Sequence, residues 1–240
     1  MTRAADLPEP VSPQRWLLAG ATVLALAALT AAALRWGMAD AGLGQASREM
    51  ARWEADGALP DLDSWLEVRS TLLAAQRRET GNPALQEALA RLHAQRHDGN
   101  AGAEVFQEQA LEYFQRAAVQ RPTSPYTWAS IALTRYRLGL IDAELQRALA
   151  NATLLGPWEP EVQFIVADIG FALWDELPDA QRKEVLETAV RGMKRYADNV
   201  VSIAGKRGRL ELVCQSGAQL GASVLKHPGC QPGAGSKSNQ

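Results

Sequence analysis

Residues 110–139 read ALEYFQRAAVQRPTSPYTWASIALTRYRLG, and this stretch places small and large residues at intervals typical of helices that pack across a turn. Six of its residues fall at the offsets expected of two such helices: Ala110, Phe114, Ala117, Pro122, Trp128 and Gly139. Spacings of four and three put the first three on one helix face, and the proline and glycine mark turns. Small residues allow helices to approach closely, and aromatic rings fill the spaces between them. The stretch therefore predicts helical hairpins.

A period near 34 residues with these offsets is the signature of tetratricopeptide helix pairs. The match is degenerate, because Tyr136 comes one position late and Ile131-Ala132 stand where Leu-Gly is usual. The flanking units, residues 61–97 and 158–195, agree in helix length but not in signature. An unrelated hairpin protein would also interleave small and large residues, and this alternative stays open. We predict a short, degenerate TPR-like array over residues 61–226.

Turn signals divide the rest of this region into further helices. Pro60-Asp61-Leu62-Asp63 provides a breaker and N-cap chemistry for a predicted helix that runs to Arg78, and shorter helices are expected over residues 199–204 and 208–225. No stretch alternates with period two for long enough to form a strand. The predicted fold class is all-α.

The second deciding feature is an uncharged run between two tryptophans, in residues 16–36, which read WLLAGATVLALAALTAAALRW. Its core of about 18 residues spans roughly 27 Å as a helix, close to the hydrocarbon thickness of a bilayer. Arg15-Trp16 and Arg35-Trp36 flank it, as expected where aromatic rings and cations meet lipid headgroups. We predict a single transmembrane anchor over residues 16–36, a cytosolic tail over residues 1–15 and a helical connector over residues 37–60.

A cleaved signal peptide is the main alternative, because residues 31–33 offer an A-x-A cleavage site. The leader before the run argues against cleavage, since it contains Asp6 and Glu9 and several prolines instead of a basic region.

Cysteine usage gives the only indication of orientation, because the cations on both sides of the run are balanced. The two cysteines, Cys214 and Cys230, suit one disulfide in an oxidising compartment, although two reduced thiols in a cytosolic domain remain an alternative. We therefore predict a bacterial inner-membrane protein with one span and a periplasmic main domain. Residues 227–240 are rich in Gly, Pro and Ser and are predicted to be disordered.

The composition gives no case for nucleic-acid binding. The 240-residue chain has a formal net charge of -2 and contains no long block of lysine or arginine.

The candidate chemical groups favour structural roles. His93 and His97 are four residues apart but lack an acidic partner at ligand spacing, so we interpret them as surface histidines and predict no metal site. The row Glu104, Glu108 and Glu112 is interpreted as a solvated helix face. Residues 205–208 are interpreted as a basic turn. Asp168, Asp175 and Glu176 are assigned to capping and solvation. No catalytic motif or cofactor fingerprint is present, so the sequence predicts no catalytic residue and no cofactor.

Trp158 is the tryptophan singled out as a possible partner or glycan contact, because Pro157 and Pro160 place it in a loop between helix pairs. Packing in the core is the alternative interpretation for this side chain.

One part of the chain resembles a known family. Residues 121–163, RPTSPYTWASIALTRYRLGLIDAELQRALANATLLGPWEPEVQ, and residues 167–177, ADIGFALWDEL, resemble VpsP-type exopolysaccharide biosynthesis proteins and the helical-repeat ends of O-antigen-ligase-like membrane proteins. The resemblance implies a single-span membrane protein with a small helical-repeat domain, and it carries over no catalytic residue. It leads us to expect a non-enzymatic protein that contacts membrane-bound polysaccharide synthesis or export proteins. A glycan-binding envelope protein and a general envelope scaffold are the alternatives.

Overall fold

The structure is a computed structural model that describes residues 13–57, 59–96, 102–219 and 228–230. These residues form nine α-helices and one short 3-10 turn and contain no strand, which confirms the all-α prediction. The helices are α1 (Pro13–Asp56), α2 (Leu62–Arg78), α3 (Pro83–Ala94), α4 (Ala103–Gln120), α5 (Pro125–Arg137), α6 (Ala143–Leu155), α7 (Pro160–Ala172), α8 (Asp179–Lys206) and α9 (Leu210–Gln219), and the 3-10 turn is Pro228–Cys230. Most of the predicted tails at residues 1–15 and 227–240 lies outside the described residues.

The helices pack as consecutive antiparallel hairpins. The most extensive contacts join α1 to α2, α3 to α4, α5 to α6 and α7 to α8. The first helix of one hairpin also contacts the first helix of another, as α1 does with α3 and α5 does with α7. This is the architecture of a helical-repeat array. The predicted unit at residues 61–97 joins α2 and α3, which belong to two neighbouring hairpins.

The same turn connects each hairpin to the next. In each case the backbone N–H of the helix C-cap donates to an alanine carbonyl four residues earlier, the next N-cap follows three residues later, and a proline occupies the first position of the new helix. In chain order the turns are Ala75…Glu79…Asn82-Pro83, Ala117…Arg121…Ser124-Pro125 and Ala152…Gly156…Glu159-Pro160. Proline suits this position because its fixed φ is helical and its missing N–H would have no partner there.

The residues predicted to pack the repeat lie in and around the second of these turns. Ala110, Phe114 and Ala117 form the buried face of α4. The indole Nε1 of Trp128 donates to the carbonyl of Pro122 at 2.7 Å and so ties α5 to the turn before it. Gly139 has a φ of 70° after the end of α5, a left-handed conformation that glycine adopts without strain.

Helix α1 is continuous over 44 residues, and its two halves have different surroundings. The N-terminal half contains the apolar run and is the one helix among the described residues that is long and apolar enough to span a membrane. The C-terminal half buries Ala39, Ala46 and Met50 in a hydrophobic cluster with α2 and α3. The predicted connector is therefore helical as far as Asp56, and it forms part of the folded body.

Helix α8 bends sharply at Tyr196, which has non-helical backbone angles. In a straight helix, residues eight positions apart are about 12 Å apart along the axis. A Cβ atom on Gly192 would lie 3.1 Å from Cγ2 of Val200, so the chain turns back on itself at the bend. The short helix predicted over residues 199–204 is the end of α8, and α9 lies within the range predicted as residues 208–225.

Gly170 allows the closest approach between α7 and α8. A Cβ atom there would lie 2.4 and 2.5 Å from the two methyl groups of Val185, which is 3% exposed. We expect Gly170→Ala to lower the free energy of unfolding by about 1–3 kcal/mol, because the extra methyl overpacks this contact. Gly205→Ala is the matched control, since a Cβ on this glycine, also in a helix, meets nothing within 4 Å. Thermal unfolding of the detergent-solubilised chain, followed by circular dichroism, distinguishes the two variants, and equal stability would contradict the close contact.

Candidate functional site

A cleft of about 430 Å³ opens where the first helices of the four hairpins approach one another. It lies among α1, α3, α5 and α7 and the loop between α1 and α2. Its apolar lining includes Trp53, Leu59, Ala94, Leu133 and Ile165, and its charged lining includes Glu54, Arg91, Arg137 and Glu161. The four charged side chains are exposed, while most of the apolar ones are partly or fully covered.

Hydrogen bonds from several elements hold the wall of this cleft around the end of α3. The carbonyl of Ala94 accepts from Gln107 Nε2 at 3.1 Å and from an Arg137 nitrogen at 3.4 Å. Arg96 donates to the carbonyl of Pro60 at 3.2 Å and so fixes the loop between α1 and α2. The two bonds to Ala94 satisfy a carbonyl that the end of α3 leaves unpaired, and together the three bonds tie α3, α4, α5 and the loop before α2 at this wall of the cleft.

The chemistry of the lining suits recognition of a peptide. Apolar surface flanked by two cations and two anions can accept an extended segment with hydrophobic and charged side chains. The lining contains neither a histidine nor a cysteine, and the hydroxyl of Thr134 already donates to the carbonyl of Ser130 at 2.8 Å. The described part of the chain holds no group of three or more His, Cys, Asp or Glu residues that could bind a metal ion.

No motif in the sequence marks the cleft, although the repeat register contains a signal for it. Counted from the proline that opens α3 and α5, Arg91 and Leu133 are both eight residues on, and Gln95 and Arg137 are both twelve residues on. Equivalent register positions on neighbouring first helices face the same groove. This signal appears only after the turns have been aligned with one another. That alignment is not evident from the sequence, because the prolines of successive turns are 42 and then 35 residues apart and so do not recur at a fixed period.

His93 is buried, so the prediction of a surface histidine is wrong. It is fully enclosed, and its ring centroid lies 5.1 Å from that of Trp65 and 5.4 Å from that of Tyr113. Nδ1 lies 2.7 Å from the carbonyl oxygen of Leu89. With Phe106 these rings form an aromatic cluster that joins α2, α3 and α4. His97 lies outside the described residues.

Burial lowers the pKa of His93 below its usual value of 6.5, and the nearby positive charge of Arg69 acts in the same direction. The hydrogen bond to the Leu89 carbonyl opposes this shift. The guanidinium carbons of Arg69 and Arg96 lie 5.9 and 5.4 Å from the Trp65 ring centroid, so the cluster is bordered by cations. His93 is therefore neutral in the folded protein at neutral pH.

The acidic residues near the end of α7 are paired with arginines. Asp168 accepts two hydrogen bonds from Arg207, both of 2.8 Å, and Asp175 accepts one from Arg209 at 2.8 Å. The assignment to capping and solvation is therefore wrong for Asp168, while Asp175, whose side chain is 82% exposed despite its ion pair, and Glu176 are solvated as predicted. The bidentate pair raises the pKa of Arg207 and fastens the predicted basic turn to α7.

The predicted row on α4 lies on an exposed helix face, with Glu104, Glu108 and Glu112 open to solvent.

Trp158 is exposed in the turn between α6 and α7, outside the cleft. It is 67% exposed, so the alternative interpretation of core packing is wrong. The guanidinium carbon of Arg191 lies 5.4 Å from its ring centroid, a distance at which a cation is attracted to an indole.

The structure joins Cys214 and Cys230 in a disulfide, with their Cα atoms 5.5 Å apart. This bond ties α9 to the 3-10 turn Pro228–Cys230.

Comparisons with protein-family models, with curated proteins and with solved structures found no match for this chain.

The burial of His93 makes the stability of the fold depend on pH. Because its pKa is lowered on folding, the unfolded chain takes up a proton first as the pH falls below about 6.5. This contribution to stability is fully present above that pH and is lost as the pH falls towards the lowered pKa. We expect the melting temperature to fall less between about pH 8 and about pH 5.5 in His93→Gln than in the unchanged chain. Identical pH profiles would contradict this role for His93.

Proposed function

We propose that this protein is a membrane-anchored interaction module that binds a peptide segment of its partner in the cleft and catalyses no reaction. The cleft carries the proposal, since it faces solvent and combines apolar surface with charges of both signs. Helical-repeat arrays commonly present such surfaces to other proteins.

Anchoring through residues 16–36 is supported by what surrounds the first half of α1. None of its most apolar window of 18 residues is buried by the rest of the chain. The side chains of Trp16 and Trp36 are 69% and 57% exposed. A continuous apolar helix that the body does not cover is stabilised by lipid.

The unbroken course of α1 would then set the distance from the membrane to the cleft. Trp53 lines the cleft seventeen residues after Trp36, which corresponds to about 26 Å along a helix. A partner that is itself embedded in the membrane would need an extramembrane segment of about this length to contact the Trp53 end of the cleft.

The resemblance of residues 121–177 suggests the kind of partner. We propose membrane-bound proteins of exopolysaccharide synthesis or export. A general envelope scaffold would bind in the same cleft but recover partners unrelated to polysaccharide.

We expect the full chain, purified with a small affinity tag from membranes in mild detergent, to recover polysaccharide synthesis or export proteins. Arg91→Glu reverses an exposed charge of the cleft, and we expect it to reduce this recovery about tenfold, which corresponds to about 1.4 kcal/mol. Arg147→Glu is the matched control, because Arg147 is exposed on α6, lies outside the cleft and forms only a surface pair with Glu144.

Two results would contradict the proposal. Equal recovery by both variants would exclude the cleft as the binding site, and recovery of abundant unrelated proteins alone would remove the link to polysaccharide.

Glycan binding is a second candidate, favoured by the exposure of Trp158 beside Arg191. It predicts that neutral or anionic oligosaccharides change the tryptophan fluorescence of the purified chain and that Trp158→Phe abolishes the change. Binding in the cleft alone predicts no effect of Trp158→Phe.

We also propose that the body lies on the periplasmic side, and the disulfide supports this because such bonds persist in oxidising compartments. In intact cells quenched with acid, we expect Cys214 and Cys230 to resist alkylation until a reductant is added. Immediate alkylation of both thiols would place the body in the cytosol instead.

A further inference from the structure

The turns that connect the hairpins form one edge of the array. Helices α2, α4 and α6 run towards this edge and α3, α5 and α7 run away from it. We call it the turn edge and define it as residues 78–83, 119–126 and 154–160.

Direct contacts join the second and third turns, and a side-chain hydrogen bond links the second turn's helix, α5, to α3. The hydroxyl of Tyr126, beside the second turn, donates to the carboxylate of Glu159 in the third. A Cβ atom on Gly156 would lie 2.5 Å from Cβ of Pro125, so the second and third turns touch. The second turn reaches the start of α3 through Thr127, which donates to a Glu87 carboxylate oxygen at 2.5 Å.

The first turn lies beside the end of the apolar half of α1. Arg35 Nε donates to the carbonyl of Arg78, the last residue of α2. Ala31, Ala32, Arg35 and Trp36 line one wall of a cleft whose other wall is residues 78–81. The turn edge therefore begins at the level where the apolar run ends.

The most exposed apolar side chains of the body lie on this edge. Among the large hydrophobic residues that the structure describes after α1, the three with the greatest exposure are Val119 (84%), Leu154 (77%) and Trp158 (67%). All three belong to the turn edge, on its second and third turns. Their concentration on one edge gives that edge an apolar character that suits contact with another surface.

The turn edge carries charges of both signs, from Arg78, Arg121, Glu79 and Glu159. Arg121 is exposed there and keeps only a loose 3.9 Å pair with Glu87. The two acids of the turns are engaged, since Glu79 accepts from Asn82 Nδ2 at 3.0 Å and Glu159 accepts from Tyr126.

We propose that the turn edge rests on the surface of the same bilayer that α1 enters, with Val119, Leu154 and Trp158 in the layer between headgroups and acyl chains. Tryptophan and arginine suit this layer, because their apolar parts enter it and their polar parts reach headgroups. The proposal rests on the proposed anchoring of α1. This arrangement gives the body a second contact with the membrane, and it directs the Trp53 end of the cleft away from the lipid.

Fluorescent labelling of the full chain tests this contact. Leu154→Cys is labelled with an environment-sensitive dye in vesicles of phosphatidylcholine and phosphatidylglycerol, while the native cysteines stay bonded and do not react. Leu140→Cys is the matched control, an exposed leucine in the turn between α5 and α6 at the opposite edge. Trp36→Cys reports separately on α1.

With brominated lipids, we expect quenching at position 154 to be at least about threefold greater than at position 140, since side chains in this layer lie about 5–10 Å inside the headgroups. Quenching at position 36 with none at position 154 would overturn the proposal and leave the anchor intact. A lack of quenching at position 36 would overturn the anchor as well. A blue-shifted but unquenched label at position 154 would show that protein covers the edge, which also overturns the proposal.

Discussion

The unbroken course of α1 is the constraint on which the rest of the structure depends. One half of this helix is apolar and is touched by the body only near its end, while the other half buries Ala39, Ala46 and Met50 against α2 and α3. A helix can join two environments rigidly only if its backbone hydrogen bonds continue across the boundary. Because they do, the first hairpin takes its direction from the apolar half, and every later hairpin packs on it in turn.

Close approach of the backbones is what allows the hairpins to stack. The alanines at the ends of α2, α4 and α6 are almost fully buried, and Gly156 and Gly170 leave no room for a Cβ atom. The aromatic cluster around His93 fills the wider space between α2, α3 and α4. Small residues at the tight contacts and large rings between them therefore stabilise the stack, because a close-packed protein interior leaves few voids.

The functional surfaces follow from this stacking. Antiparallel hairpins bring their first helices together on one side, where the cleft lies, and bring their connecting turns together on one edge. The cleft combines apolar surface with exposed charges of both signs, which suits recognition of a peptide segment. The exposed Val119, Leu154 and Trp158 lie on the turn edge and do not line the cleft.

The sequence by itself determined the helices and the apolar run, because both depend on local spacing. The offsets from Ala110 to Trp128 needed no knowledge of distant residues. Only the tertiary structure decided that the end of α1 belongs to the core, that His93 is enclosed and that Asp168 pairs with Arg207. These outcomes depend on which faces meet across long separations in sequence, as they do for the cleft between Trp53 and Ile165. Local sequence patterns do not encode such long-range contacts, because each contact depends on how all the hairpins between its two residues pack.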